Sequence, residues 1–172
     1  MKSNLTTSFS LLELKNNPFY FSELISSACL GFTVREANLL DIYVILPLLL
    51  YEAGADKLKK RITAKSSIYS IYLKDNIAGI AGLEERIKKL KSITIESLVI
   101  AVNSKYITID EITLDIKVST EFDKYIKKQV QQEKRLYKQA LNLGKILSQN
   151  EIKENYRLLG VKNLWFVHLS ML

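Results

Sequence analysis

The sequence contains one cysteine, two prolines and six glycines among its 172 residues. A single cysteine excludes an intramolecular disulfide and any metal site built from several cysteines. Because proline and glycine are so few, little material is left for a flexible linker, and the length predicts one domain spanning residues 1–172. We expect Cys29 to be an inert thiol on a buried helix face, since reactivity requires an electropositive, partly exposed setting.

No apolar run reaches the length of about 20 residues that a membrane-spanning helix needs. The N-terminal residues show no apolar core followed by a small-residue cleavage site, so a signal peptide is not expected. These observations predict a cytoplasmic protein. Its net charge of +7 and pI near 9.3 are compatible with nucleic acid or an acidic partner, and they establish neither.

The longest apolar run is Leu39–Tyr51, LLDIYVILPLLLY. Because it leaves no face for water, it predicts a helix buried on all sides. Pro47 should kink or interrupt that helix, since proline removes a hydrogen-bond donor and clashes with the preceding turn. We expect the helix to end near Gly54.

The helix before this run has a clear start signal at Asn17 and Pro18, a capping residue followed by proline at the first helical position. The pattern predicts a helix from Pro18 to about Leu30 that Gly31 closes, with Phe19, Leu24 and Ala28 facing inward.

Between residues 66 and 118, short helices are followed by a change to a period of two. One amphipathic helix carries its inward stripe at Ile80, Leu83, Ile87 and Leu90, with Arg86 and its charged neighbours outside. Thr94 is expected to cap a separate helix, Ile95–Asn103. Residues 106–117 then predict a β-hairpin that turns at Asp110 and Glu111, with Ile109 opposite Ile112 and Ile107 opposite Leu114.

The remaining residues predict one long helix, Ser119–Gln149, and a last helix, Glu151–Leu159. Gly144 inside the long helix indicates a close contact with another helix. The predicted fold class is mainly α (α+β), a helical domain with a winged-helix-like β-hairpin. Its parts are a helical N-terminal part 9–62, a winged-helix-like module of about 66–118, C-terminal helices 119–160 and an apolar tail 161–172.

Residues with catalytic potential occur without partners. His168 has no cysteine or orienting group near it in sequence, and Gly144-Lys145 lacks the upstream glycine and the following Ser/Thr of a phosphate loop. Glu84 and Glu85 adjoin basic residues on a helix face and are expected to form surface ion pairs. We therefore expect no enzyme activity, no metal, no cofactor and no small-molecule ligand.

The predicted hairpin raises the question of DNA binding. A recognition helix needs Arg, Lys, Asn or Gln on its outer face. The helix before the hairpin, TIESLVIAVN, has no Lys or Arg and carries Glu96, while the hairpin turn is acidic. The surface that usually reads DNA therefore carries negative instead of positive charge.

Two other segments are candidate partner surfaces. The basic residues of the long helix are either a solvated face or a contact with nucleic acid or an acidic protein. The apolar tail either packs on the core or forms an interface. The candidate partner-binding residues are Lys124, Lys127, Lys128, Lys134, Arg135, Trp165, Phe166 and Leu169.

Seven short segments, in this order and spacing, resemble the middle components of bacterial three-component ABC systems. They are NNPF (16–19), ILPLLLY (45–51), SSIYSIYLKDN (66–76), LEERIKKL (83–90), ITIESL (93–98), ALNLGKIL (140–147) and YRLLGVK (156–162). The similarity covers about residues 10–163.

The resemblance implies a non-enzymatic adaptor that binds a cognate ABC ATPase and couples it to a further component or effector of a conflict or anti-phage system. Any DNA contact would then be made through the complex, and no membrane partner is expected. The alternative is a winged-helix nucleic-acid-binding regulator that uses the basic helix Lys124–Lys138. A third hypothesis is an antitoxin-like module that captures a neighbouring toxin.

Overall fold

The computed structural model describes residues 17–59, 62–63, 66–74, 77–131 and 135–162. The helices in these ranges are α1 (Pro18–Leu30), α2 (Leu39–Leu49), α3 (Glu52–Ala55), α4 (Leu83–Asn103), α5 (Thr120–Gln131), α6 (Arg135–Leu147) and α7 (Ile152–Leu158). The strands are β1 (Ala37–Asn38), β2 (Ile107–Ile109) and β3 (Asp115–Val118). Between α3 and α4 lie 3₁₀ turns at Asp56–Lys59 and Ile77–Gly79 and a π turn at Tyr69–Leu73. The mainly α (α+β) prediction is confirmed.

Helix α1 is central to the packing, with its most extensive contacts to α4 and α6. The predicted start is confirmed, since the Asn17 side chain accepts hydrogen bonds from the amides of Phe19 and Tyr20 at 3.0 and 3.3 Å. Leu24 and Ala28 are buried as expected. The prediction for Phe19 is wrong: its side chain is 68% exposed, because it lies in the first turn of α1, before the buried residues begin at Phe21.

Helix α2 is buried from Asp41 to Leu49, as the apolar run predicts. Pro47 lies inside it without ending it, and the helix stops at Leu49 rather than near Gly54. Asp41 is fully buried, and its carboxylate accepts two hydrogen bonds from the Arg35 guanidinium, at 2.7 and 2.8 Å. Arg35 also donates to the carbonyl oxygen of Asn150 at 2.8 Å, which links the start of α2 to the segment after α6.

Helix α4 is one continuous helix, so the prediction of two helices divided at Thr94 is wrong. Thr94 is buried, and its hydroxyl donates to the Leu90 carbonyl at 2.7 Å instead of accepting from a following amide. The Ser97 hydroxyl likewise donates to the Ile93 carbonyl at 2.6 Å. A hydroxyl bonded back to the preceding turn is compatible with an uninterrupted helix.

The three strands form an antiparallel sheet in the order β1-β3-β2. The hairpin exists, but its predicted register is wrong. Ile107 pairs with Val118 and Ile109 with Ile116. The Asp110 side chain accepts hydrogen bonds from the backbone amides of Ile112 and Thr113, at 2.9 and 2.8 Å. The loop is therefore wider than a two-residue turn.

The sheet also includes residues outside 66–118, because Ala37 pairs with Ile116 in the neighbouring strand. The long helix predicted over Ser119–Gln149 is confirmed as helix in α5 and in α6. The link between them, residues 132–134, lies outside the described residues. The last helix, α7, ends before Gly160, which has a φ of 71°. The apolar tail from residue 163 onward and residues 9–16 lie outside the described ranges.

Candidate interaction surfaces

The outer face of α4 carries an apolar stripe, which we define as Ile95, Val99 and Val102. Their side chains are 38%, 53% and 39% exposed. The spacing of four and three residues puts them side by side along one face of the helix. The inner face holds the small side chains of Thr94, Ser97 and Ala101, all buried. The C-terminal half of α4 therefore buries small, partly polar residues and exposes three large apolar ones, whereas its N-terminal half buries the large apolar residues Leu83 and Ile87.

The N-terminal half of the same helix is charged. Lys88 pairs with Glu85 at 3.0 Å and with Glu84 at 4.0 Å, which confirms the expected surface ion pairs. Arg86 is not part of that outer surface, contrary to the prediction. Its guanidinium stacks 3.9 Å from the ring centre of Tyr51 and donates to the Pro47 carbonyl at 3.2 Å, and burial lowers its pKa.

The hairpin tip next to β2 is acidic and exposed. Backbone hydrogen bonds from Thr113 and Ile112 hold the pKa of Asp110 below its ordinary value, so this carboxylate stays charged at neutral pH. Ile112 beside it is 94% exposed. An acidic tip of this kind repels a phosphate backbone, as the sequence predicts.

The basic candidate residues lie on α5 and at the start of α6. Lys124, Lys127 and Lys128 are exposed and, at three- and four-residue spacing, share one face of α5. Lys127 pairs with Asp123 at 2.6 Å, and Arg135 pairs with Asp56 at 3.1 Å. The other candidates, Lys134, Trp165, Phe166 and Leu169, lie outside the described residues.

A groove with aromatic and acidic walls was not predicted from the sequence. Its volume is about 490 Å³, and it is lined by Glu23, Ser104, Lys105, Tyr106, Ser119, Glu121, Phe122 and Tyr125. The ring centres of Tyr106 and Phe122 lie 4.6 Å apart, and those of Phe122 and Tyr125 lie 5.9 Å apart. Glu23 and Tyr125 are 102 positions apart in sequence, so no local pattern brings them together.

The described ranges contain no group of three or more His, Cys, Asp or Glu side chains placed to hold a metal ion. None of the described helices is long and apolar enough to cross a bilayer. Cys29 is buried, and burial raises the pKa of its thiol, in agreement with an inert core residue.

The comparisons with known proteins identify the family. The family model described as ABC-three component (ABC-3C) system Middle Component 3 matches residues 7–163. The chain belongs to this family. The resemblance seen in the sequence is thereby confirmed. The matched range of this Middle Component 3 chain includes every described residue, and with them the apolar stripe, the hairpin and the aromatic groove. No curated protein and no solved structure gives a significant match.

Proposed function

We propose that this middle component is a non-enzymatic adaptor of a bacterial three-component ABC defence system, and that it binds a protein partner through α4. The observation that carries the proposal is the exposed apolar stripe in the C-terminal half of α4, where the fully buried positions hold small side chains. Folding by itself favours large apolar residues inside, yet Ile95, Val99 and Val102 are turned outward. Contiguous exposed apolar residues are typical of protein interfaces.

The chain order supports this use of α4. We propose that α1, β1, α2, α4, β2 and β3 form a winged-helix-like arrangement, with α3 as an addition between α2 and α4; the sheet order β1-β3-β2 supports this. In that arrangement the helix before the hairpin faces the ligand. A DNA reader needs hydrogen-bond donors there, whereas this chain has the apolar stripe. We therefore assign the surface to protein, and we propose the ABC ATPase of the same system as its partner, coupled through this chain to the third component.

The alternative function, nucleic-acid binding, is favoured by the lysines of α5. Lys124 and Lys128 are exposed and take part in no ion pair among the described residues. Three cations on one helix face can follow a phosphate backbone. Binding of this kind would weaken steeply with added salt, whereas an apolar protein interface would not.

Co-purification separates the two functions. The tagged chain is expressed with its operon neighbours, as wild type, as Val99→Glu and as the matched surface variant Lys128→Glu. We expect an ABC-type ATPase to elute with wild type and with Lys128→Glu, and to be lost with Val99→Glu. If Val99→Glu retains the ATPase, α4 is not the binding surface. If no ATPase elutes and duplex DNA binds with strong salt dependence that Lys128→Glu reduces, the adaptor function is wrong.

A further inference from the structure

The aromatic groove has an acidic group at its inner end. The Glu23 carboxylate accepts a hydrogen bond from the Tyr125 hydroxyl, at 3.2 Å from Oε1 and 3.3 Å from Oε2. The Tyr137 hydroxyl donates to Oε2 as well. A carboxylate has about four acceptor positions, and these two hydroxyls supply two protons. Glu23 can therefore accept further hydrogen bonds from a ligand.

The negative charge of Glu23 has no cationic partner among the described residues of the chain. The charge of Glu23 also affects the pKa values of the tyrosines around it. Burial first, and the charge of Glu23 next, raises the pKa of Tyr20 to about 12 and raises the pKa of Tyr106. Each tyrosine is held in its neutral form beside a carboxylate that no cation balances.

We propose that this groove binds an arginine side chain presented by a protein partner. A guanidinium is planar, stacks on aromatic faces and donates two parallel hydrogen bonds to a carboxylate. Tyr106 and Tyr125 supply the accessible aromatic faces, the buried Phe122 packs behind them, and Glu23 supplies the acceptor. Glu121 lines the same groove and adds a second negative charge.

Two features make the proposal specific. Lys105 also lines the groove, and it makes no ion pair with Glu23 in the structure. Its positive charge opposes an incoming guanidinium, so its removal should strengthen binding. None of the three stripe residues lines the groove, so it is a site distinct from the apolar stripe. It can be tested on the isolated chain, whatever the outcome for the ABC partner.

The test is a titration of the full chain, followed by the ring resonances of Tyr106, Phe122 and Tyr125 in NMR spectra. The probe is Nα-acetyl-arginine methylamide, and its matched neutral control is the citrulline analogue, which has nearly the same shape without the charge. We expect saturable shifts with the arginine probe and about tenfold weaker binding of the citrulline probe, the size of one charge-assisted interaction.

Two variants complete the test. Glu23→Gln keeps an acceptor for the Tyr137 hydroxyl and removes the charge, so it should weaken arginine binding about tenfold. Lys105→Met should strengthen it by a few-fold. Equal binding of the two probes, or no saturable shift in wild type, overturns the proposal. If Glu23→Gln fails to fold, the citrulline comparison and Lys105→Met still decide it, because the Lys105 side chain is exposed and makes no ion pair among the described residues.

Discussion

Replacing Gly144 by alanine should destabilise the fold, because α6 crosses α1 there with backbone against backbone. A Cβ at Gly144 would overlap the carbonyl oxygen of Ala28 and lie 3.0 Å from the Cα of Gly31. The contact is reciprocal, since a Cβ at Gly31 would overlap the carbonyl oxygen of Leu141. All of these are backbone atoms, so no change of rotamer relieves the overlap.

The expected magnitude follows from two opposing effects. Alanine is favoured over glycine inside a helix by about 1 kcal/mol. Overpacking typically costs about 1–3 kcal/mol, and the rigid backbone places this position at the upper end. The helices would have to separate by roughly 1 Å to restore ordinary contact, which weakens dispersion along the whole α1–α6 interface. We expect Gly144→Ala to lower the free energy of unfolding by about 2 kcal/mol or more, and Tm by about 4–8 °C.

The assay is urea unfolding followed by far-UV circular dichroism, with Ser92→Ala as control. Ser92 is exposed on α4, so that change should stay within about 0.5 kcal/mol. The double variant Gly31→Ala/Gly144→Ala should cost less than the sum of the two single variants, because one separation of the helices accommodates both methyl groups. A Gly144→Ala variant as stable as wild type, or strict additivity in the double variant, would refute the close crossing.

Three further outcomes follow from the described contacts. Asp41→Ala should cost about 3–5 kcal/mol in urea unfolding, because it leaves the largely buried Arg35 guanidinium without the carboxylate that accepts its two hydrogen bonds; a loss below about 1 kcal/mol would contradict the buried pair. Cys29 should resist a thiol reagent in the native state and react on unfolding, since burial raises its pKa, and rapid native labelling would show that the thiol is accessible. Burial raises the pKa of Tyr20 to about 12 and also raises that of Tyr156, so the stability these hydroxyls contribute is complete below the unfolded value of about 10 and is lost as pH rises through about 12. Tyrosinate absorbance measured together with circular dichroism should then show that the last tyrosines ionise in the same alkaline range as unfolding, and ionisation of all nine tyrosines near pH 10 without unfolding would contradict it.

The features that the sequence predicted correctly depend on short-range signals. The Asn17 cap acts within one turn of α1, and the apolar run of α2 indicates burial wherever it packs. Gly144 stood out because glycine is unfavourable inside a helix, which implied a close contact before its partner was known. Each of these signals is contained in a few neighbouring residues.

The errors arose where two structures satisfy the same local pattern. The predicted and observed hairpin registers differ by four residues, an even number, so Ile107 and Ile109 face the same side in both. The hydroxyl of Thr94 can cap a new helix or bond back to Leu90, and only burial against neighbouring elements decides. The groove around Glu23 depends on contacts over 102 positions, which no sequence window contains.

The apolar stripe also explains why the sequence argued against DNA binding by α4 without predicting a protein interface there. The segment LVIAV (98–102) consists of five consecutive apolar residues, so its pattern indicates no outward face; the buried Ala101 and the exposed Val99 look equivalent in sequence. Packing against α1 selects the small residues for the interior, since small side chains let the two helices approach closely. The branched residues are then left on the surface, where they contribute little to folding. A change such as Val99→Thr should therefore leave the urea midpoint nearly unchanged while weakening partner capture, and that separation of stability from binding is what an interface residue requires.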